Sequence, residues 1–277
     1  MLCTIRGIPV YYEDYGEGRP VLFIHGWSVD HRLMSGCFEP VFEQTQDYRR
    51  IYIDMPGMGK TPAADWMKNS DTMIELLREF VGIVIGDSNF LLVGESYGGY
   101  VSLGLIHEMR QRIDGLFLLC PLTDSFDAVN RPECLPKHQV LWRNESWASA
   151  ENDPDATSFL DMAAIATPEI FAKYKRDILP AVRMADWEHL NHNYKGEYHP
   201  DMEKALRTMT FDKPSCILTG RQDHAVGYQK PYELVERFPR ATFAALDCAG
   251  HNLQLDNEPL FRQMVKDWLW RVEKCGR

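Results

Sequence analysis

The stretch Gly94-Glu95-Ser96-Tyr97-Gly98-Gly99 stands between a short apolar run at residues 90–93 and a helical pattern at residues 97–110. This context predicts a tight turn that leads from a buried strand into a helix. Glycines suit positions 94 and 98, because side chains there would collide with neighbouring backbone. The turn would hold Ser96 at the carboxyl end of a sheet, beside a helix N-terminus that favours negative charge.

Strand-like and helix-like stretches alternate on both sides of this turn. Continuous apolar runs of a few residues are typical of parallel strands that are covered on both faces. We predict such strands at residues 21–24, 51–53, 90–93, 116–119, 216–218 and 242–246, and helices at residues 71–85, 97–110, 231–237 and 259–272. Residues 3–6 and 10–14 predict an N-terminal hairpin. The predicted fold class is α/β, with a doubly wound, mostly parallel sheet.

One long segment interrupts the alternation. From about residue 122 to residue 207 the sequence has no convincing buried strand, and its helix-like pieces are rich in Trp, Met and His. These pieces fall at residues 156–166, 168–178, 180–191 and 200–209. We interpret residues 122–207 as a helical cap, inserted into a core domain that comprises residues 1–121 and 208–277.

Composition and charge argue against several classes of protein. The 277 residues are 45% hydrophobic and carry a formal net charge of -10, which would repel phosphate backbones, so we expect no nucleic-acid partner. No apolar run approaches the roughly 20 residues of a membrane span, so we expect no membrane partner. The first residues lack the pattern of a secretory signal, and the seven cysteines include no CxxC pair. We therefore expect a cytoplasmic protein with reduced thiols.

A nucleophilic serine requires a general base, because its hydroxyl is a weak nucleophile at neutral pH. The loop Ala249-Gly250-His251 follows the last predicted strand and should reach the sheet end that holds Ser96. None of the other eight histidines occupies such a position. The sequence therefore predicts His251 as the base.

The base in turn requires an orienting carboxylate. Asp223 lies in the loop after the predicted strand at residues 216–218, at the same sheet end, and is the favoured acid. Two alternatives remain open. Asp124 follows the predicted strand at residues 116–119, and Asp247 lies close to His251 in the sequence.

Attack on a carbonyl group also requires backbone N–H donors for the oxyanion that forms. One donor should come from the residue after the nucleophile, which is Tyr97. The loop His25-Gly26-Trp27 follows the predicted strand at residues 21–24 and should supply the other. Gly26 allows a close turn there, and Trp27 is the predicted donor.

Taken together, these motifs resemble those of the α/β-hydrolase superfamily over nearly the whole chain. The resemblance rests on His25-Gly26-Trp27, Asp54-Met55-Pro56-Gly57-Met58-Gly59, the turn at Ser96, Gly220-Arg221-Gln222-Asp223 and Gly250-His251. It implies the α/β-hydrolase fold with a cap at residues 122–207. It also implies the functional roles of nucleophile, acid, base and oxyanion donors for Ser96, Asp223, His251, Trp27 and Tyr97. Serine at the turn is unlike the aspartate of haloalkane dehalogenases and epoxide hydrolases, so the chain resembles the serine-nucleophile branch.

The predicted activity is that of a carboxylesterase that acts on small or medium acyl compounds and needs no cofactor or metal. Its expected partner is a small-molecule substrate. Acidic residues of the cap leave an aminopeptidase of the proline iminopeptidase type as an alternative, because such an enzyme binds a free amine; they are Glu151, Asp153, Asp155 and Glu188. A receptor that retains the triad is another alternative, since a fold does not fix an activity.

Overall fold

The computed structural model describes residues 1–124 and 135–275. Its strands are β1 (Leu2–Ile5), β2 (Ile8–Tyr15), β3 (Arg19–Ile24), β4 (Tyr48–Ile53), β5 (Phe90–Glu95), β6 (Ile113–Leu119), β7 (Trp142–Arg143), β8 (Ile165–Ala166), β9 (Ser215–Gly220) and β10 (Ala241–Leu246). In the described residues, eight of these strands form one sheet in the order β1-β2-β4-β3-β5-β6-β9-β10. The short strands β7 and β8 pair with each other.

The direction of the strands brings several loops to one edge of the sheet. Strands β1 and β2 form an antiparallel hairpin, and β2 runs antiparallel to β4. All later neighbours are parallel. Strands β5 and β9 are buried along their whole length, which explains their continuous apolar runs. Because carboxyl ends of parallel strands meet, the loops after β3, β5, β6, β9 and β10 lie at one edge. The α/β fold class predicted from the sequence is confirmed.

Helices cover this sheet and fill the segment between β6 and β9. They are α1 (His31–Phe42), α2 (Ser70–Phe80), α3 (Tyr97–Met109), α4 (Ala156–Leu160), α5 (Pro168–Asp177), α6 (Leu179–Met184), α7 (Pro200–Thr208), α8 (Gln229–Tyr232), α9 (Leu253–Asp256) and α10 (Glu258–Cys275). Helix α2 continues into a π-helical turn at Val81–Ile85, so the helix predicted at residues 71–85 changes its type in the last turn.

Helix α1 is an element that the sequence analysis does not predict. Gly36 and Pro40 lie in its interior, and both residues disfavour a helix. Asp30 caps its start by accepting a hydrogen bond from the backbone N–H of Arg32 at 3.0 Å. Leu33 and Phe38 are among the side chains that α1 buries in the core. Tertiary packing therefore outweighs the local preference of this segment.

Three predicted helices differ from the structure. Residues 231–237 are not a continuous α-helix: α8 ends at Tyr232, and the N–H groups of Leu234, Val235 and Arg237 donate to carbonyls three residues back. The helix predicted at residues 156–166 ends at Leu160, ahead of β8. The helix predicted at residues 180–191 divides into α6 and a separate π-helical turn at His189–Asn193.

The segment between β6 and β9 has an aromatic core of its own. Trp147 and Phe159 pack with ring centroids 5.4 Å apart, and both contact the ring of Phe171. Thr167 caps α5 by accepting a hydrogen bond from the N–H of Ile170 at 3.2 Å. The boundaries of the cap at residues 122 and 207 stay predictions, and residues 125–134, with Cys134, lie outside the described residues.

The six cysteines of the described ranges are free thiols. Cys3, Cys37, Cys120 and Cys216 are buried, whereas Cys248 is half-buried and Cys275 is exposed. Over those same ranges, every helix is too short or too polar to traverse a lipid bilayer.

Candidate active site

The turn between β5 and α3 holds Ser96 in a strained backbone conformation. Ser96 has φ 51° and ψ −118°, which side-chain-bearing residues rarely adopt. Its N–H donates to the carbonyl of Leu119 at 3.0 Å, and its carbonyl accepts from the N–H of Leu122 at 2.9 Å. A Cβ at Gly98 would collide with the carbonyl oxygens of Ile24 and His25, so only glycine fits there. The surrounding structure thus fixes the strained turn.

His251 joins Ser96 to Asp223 through two hydrogen bonds. Its Nε2 lies 2.9 Å from Ser96 Oγ, and its Nδ1 lies 2.9 Å from Asp223 Oδ2. Ser96 and His251 are each 8% exposed, and Asp223 is 0% exposed. The structure therefore brings together the three residues that the sequence predicts as nucleophile, base and acid.

Direct contacts between two loops hold Asp223 and His251 in place. The N–H of Gln222 donates to the carbonyl of Ala249 at 2.9 Å, and its side-chain Oε1 accepts from the N–H of Ala249 at 3.0 Å. The buried Asp256 accepts from the N–H of Gly250 at 2.8 Å. The two bonds between Gln222 and Ala249 link the loop after β9 to the loop after β10, and the bond to Asp256 anchors the loop that carries His251 to α9. Together they hold Asp223 and His251 at a fixed distance.

The alternative acids occupy other surroundings. Asp124 forms an ion pair with Arg207, with 3.3 Å between Oδ1 and the guanidinium. Asp247 is exposed and accepts a hydrogen bond from Gln222 at 3.0 Å. In the described part of the chain, the carboxyl oxygens within 4 Å of the His251 ring nitrogens belong to Asp223 and Glu95. The geometry therefore favours Asp223 over both alternatives.

Glu95 is a second buried carboxyl beside the imidazole. It is 2% exposed, and its Oε1 lies 3.5 Å from Nε2 of His251. Burial raises the pKa of Glu95 to about 7, and the negative charge of Asp223 adds to the rise while His251 opposes it. Burial alone would lower the pKa of His251, but the charge and hydrogen bond of Asp223, with the charge of Glu95, raise it to about 9.

The predicted oxyanion donors lie on either side of Ser96. Tyr97 is the first residue of α3, so its N–H is at the helix N-terminus. A Cβ built on Gly26 would approach Cβ of Ser96 to 2.9 Å, which shows how closely the loop after β3 passes the serine. Trp27 follows Gly26 and packs edge-on against the ring of Tyr97, with centroids 5.2 Å apart. The loop that carries Trp27 and the helix N-terminus at Tyr97 thus both lie beside Ser96, and their role as oxyanion donors stays a prediction.

A cavity of about 380 Å³ opens above Ser96. One wall comes from core residues such as Trp27, Leu33 and Val226, and the other comes from the segment between β6 and β9. The members of that segment that line the cavity are Ser158, Asp161, Met162, Tyr174, Ile178 and Val182. The described lining is mostly apolar and includes no lysine or arginine, and Asp161 brings a carboxylate to it.

Two groups of buried side chains have atoms close enough to ligate a metal ion. The first group is Cys120 with Asp223 and His251, in which Asp223 and His251 hydrogen-bond to each other and Cys120 Sγ donates to the carbonyl of Gly250 at 3.7 Å. The second is Asp30, His31 and Asp54, in which Asp54 Oδ1 accepts from His31 Nδ1 at 2.7 Å. In each group a histidine and an aspartate hydrogen-bond to each other. The expectation that no metal or cofactor is needed stays a prediction.

The sequence analysis does not identify Glu95 or most of the cavity wall as parts of this site. Glu95 appears in the quoted motif, but only the fold shows that its carboxyl turns toward His251. Tyr174, Ile178 and Val182 are four residues apart in sequence, the spacing that places side chains on one face of a helix. This spacing is a signal that could have identified them.

Comparisons with known proteins agree with the architecture. A family model for the alpha/beta hydrolase fold matches residues 19–258. A solved structure of an alpha/beta superfamily hydrolase from Oenococcus oeni PSU-1 is 28% identical, with 96% of this chain and 97% of that chain covered and a TM-score of 0.86. The AB hydrolase superfamily protein YisY of Bacillus subtilis (strain 168) is 28% identical over 275 residues, 95% of this chain and 96% of its own length.

A shorter match concerns an esterase. The pimeloyl-[acyl-carrier protein] methyl ester esterase of Legionella pneumophila (strain Corby) is 28% identical over 108 residues, 39% of this chain and 40% of its own length. The chain thus aligns with about two fifths of the length of the curated relatives of this kind. The family model, in contrast, extends over most of the sequence. The chain therefore belongs to the alpha/beta hydrolase fold family.

Proposed function

We propose that this chain is a serine hydrolase that cleaves carboxylic esters of small or medium, mostly apolar acyl groups. The observation that carries this proposal is the pair of 2.9 Å hydrogen bonds that runs from Ser96 through His251 to Asp223. A serine hydroxyl held by an imidazole that is itself held by a carboxylate is the arrangement that activates a serine nucleophile.

In the proposed reaction, Ser96 Oγ attacks the carbonyl carbon while Nε2 of His251 takes the hydroxyl proton. The tetrahedral oxyanion accepts hydrogen bonds from the backbone N–H groups of Trp27 and Tyr97. The C–O bond to the alcohol then breaks, and the imidazolium returns its proton to the leaving oxygen. Water then attacks the acyl-enzyme while Nε2 of His251 takes one of its protons. The acyl–Oγ bond breaks, His251 returns that proton to Ser96 Oγ, and the carboxylic acid is released.

The cavity supports the proposed substrate class. A volume of about 380 Å³ suits a small or medium compound better than a polymer. Its walls are largely aliphatic and aromatic, which favours an apolar acyl chain. The described lining carries two carboxyl groups, of Glu95 and Asp161, and no lysine or arginine, so only His251 could offset the charge of an anionic substrate there.

Asp161 supports an aminopeptidase as the second candidate function. It is an exposed residue in the cavity wall, where a carboxylate could bind the free amine of an aminoacyl compound. Three of the four acids of this segment that the sequence singles out pair with cations: Asp153 with Lys175, Asp155 with Arg183 and Glu151 with Arg143. The fourth, Glu188, is exposed and is not among the described residues that line the cavity. Asp161 is therefore the acid to test for amine recognition.

Labelling with a fluorophosphonate probe tests the nucleophile. The wild-type protein should be labelled, and Ser96→Ala should not. Ser158→Ala removes another serine hydroxyl of the same cavity and should keep the label. Labelling of Ser96→Ala at the wild-type level would reject Ser96 as the nucleophile.

Turnover of a substrate panel separates the candidate functions. Short-chain and medium-chain aryl esters should be hydrolysed faster than aminoacyl amides of the same size. A faster reaction with a free-amine amide, lost when the amine is acylated, would support the aminopeptidase instead. No turnover of any ester, thioester or amide would support a receptor. The cytoplasmic location expected from the sequence stays a prediction.

A further inference from the structure

The imidazole of His251 lies between two buried carboxyl groups. Asp223 contacts Nδ1 at 2.9 Å, and Oε1 of Glu95 lies 3.5 Å from Nε2, which is the nitrogen that also contacts Ser96. Asp223 is the acid of the proposed triad, whereas the proposed mechanism assigns nothing to Glu95. A buried carboxyl beside a reacting nitrogen therefore lacks an explanation.

The other oxygen of Glu95 reaches the loop that carries the predicted oxyanion donor. A Cβ at Gly26 would collide with Oε2 of Glu95, so this carboxyl fills the space between that loop and Ser96. The backbone N–H of Gly26 faces this carboxyl and lowers its pKa, but among the described residues Oε2 makes no hydrogen bond of good geometry although it is buried. A carboxyl group is costly in such a place, and a glutamine or an apolar side chain of similar size would cost the fold less. Strongly perturbed acids in clefts are typical of functional sites.

We propose that Glu95 is a positioning residue that stabilises the imidazolium of His251 during the proton transfers of the reaction. This inference rests on the proposed serine-hydrolase function. Its negative charge lies on the Nε2 side of the ring, opposite Asp223, so the positive charge that develops on the ring is compensated from both edges.

The protons in this proposal move only between groups already named. In acylation the Ser96 hydroxyl proton passes to Nε2 of His251, and from Nε2 to the leaving oxygen. In deacylation a proton of water passes to Nε2, and from Nε2 to Ser96 Oγ. Glu95 neither gains nor loses a proton in these steps. His251 becomes mainly neutral above its pKa of about 9, and at such pH Glu95, with a pKa of about 7, is ionised.

Other titratable groups also face His251. They lie on the loops after β6 and β9, and they are Cys120, Asp223 and His224. Burial raises the pKa of the Cys120 thiol well above its ordinary value, so this thiol stays neutral. Burial lowers the pKa of His224, which therefore also stays neutral near pH 7. Glu95 and Asp223 are thus the charges that set the basicity of His251.

The experiment measures kcat/KM of an aryl ester against pH for the wild type and for Glu95→Gln, which keeps the shape and removes the charge. The ascending limb of the plot of kcat/KM against pH should move to lower pH by about one unit in Glu95→Gln. The negative charge of Glu95, which helps to hold the proton on His251, is then absent. The plateau value of kcat should fall about tenfold, since the imidazolium is less stabilised in the transition state. Glu236→Gln makes the same change at an exposed glutamate outside the cavity lining, and its ascending limb should coincide with that of the wild type.

An unchanged limb in a folded Glu95→Gln protein would overturn this inference, even if its rate fell. The same titration followed by NMR on His251 in the Ser96→Ala background gives a readout that needs no turnover. If Glu95→Gln does not fold, Glu95→Asp replaces it, because it withdraws the charge by one methylene. A rise of kcat/KM at lower pH than in the wild type then supports the role of Glu95, and a rise at the wild-type pH contradicts it. Failure of the proposed function is distinguishable, because the wild type itself would then hydrolyse no ester.

Discussion

Asp223 contacts His251 with one carboxylate oxygen and the backbone of its own loop with the other. Oδ2 lies 2.9 Å from Nδ1 of His251, while Oδ1 accepts hydrogen bonds from the N–H groups of Ala225 at 2.9 Å and Val226 at 3.1 Å. The carboxylate therefore cannot rotate without breaking backbone hydrogen bonds. This arrangement fixes the imidazole orientation and favours the tautomer with its proton on Nδ1.

Replacement of Asp223 by asparagine should lower kcat by roughly ten-thousand-fold, because an amide donor at Nδ1 favours the wrong imidazole tautomer. Ester turnover measures the loss, and circular dichroism checks that the fold is kept. Asp124→Asn is the matched control: its carboxylate pairs with Arg207, so turnover should stay near that of the wild type. A large loss in Asp124→Asn with normal turnover in Asp223→Asn would reverse the assignment of the acid.

The activity should rise with pH above neutrality. Burial alone would lower the pKa of His251, but the charges of Asp223 and Glu95 raise it to about 9, and the base must be neutral to accept the serine proton. The plot of kcat/KM against pH should therefore climb through about pH 9. An ascending limb centred near pH 6 would show that the two carboxylates do not hold a proton on the ring.

A larger side chain at Val182 should shorten the acyl groups that the site accepts. Val182 lines the cavity, so Val182→Trp fills part of its volume of about 380 Å³. We expect kcat/KM for a medium-chain aryl ester to fall at least about tenfold relative to that for an acetyl ester, because overpacking excludes the longer chain. Met184→Trp changes an exposed residue of the same helix and should leave the ratio unchanged. Equal losses for both esters would place the acyl chain elsewhere.

At position 96, a glycine variant should be more stable than an alanine variant, which is the reverse of the usual order. Glycine ordinarily destabilises a fold relative to alanine by roughly 0.5–1 kcal/mol, because it loses more backbone entropy. At φ 51° and ψ −118° the alanine side chain strains the backbone by about 1–3 kcal/mol, and both variants lack the hydroxyl. Urea denaturation should therefore show Ser96→Gly as more stable than Ser96→Ala. The opposite order would mean that the turn relaxes when the hydroxyl is removed.

Hydrophobic runs predict the core of this fold well, because strands buried on both faces have few polar positions. The runs at residues 90–93 and 216–218 fall inside β5 and β9. Helix α1 could not be predicted in this way, since Gly36 and Pro40 break its pattern and its stability depends on contacts with distant residues. The helix predicted at residues 231–237 is wrong for the reverse reason. Its local pattern is helical, but beyond Tyr232 the N–H groups of Leu234, Val235 and Arg237 donate to carbonyls three residues back.

The sequence predicts those site residues that directly follow strands of the sheet. Ser96, Asp223 and His251 each follow a strand of the parallel sheet, and motif and order identify them. Glu95 differs, because the residue before the serine carries no signal of where its carboxyl points. The cavity residues Tyr174 and Val182 depend on how the segment between β6 and β9 packs on the core, which periodicity alone does not fix.

The order of the site residues along the chain means that the segment between β6 and β9 separates the nucleophile from its partners. A cut after the exposed Glu151 would leave Ser96 on one fragment and both Asp223 and His251 on the other. The two fragments would meet along the β6–β9 ladder, whose paired residues run from Leu116 with Ser215 to Leu119 with Leu218. In a split version of this protein, only the reassembled pair of fragments would hydrolyse an ester, so the rate of hydrolysis would report on the association of the fragments.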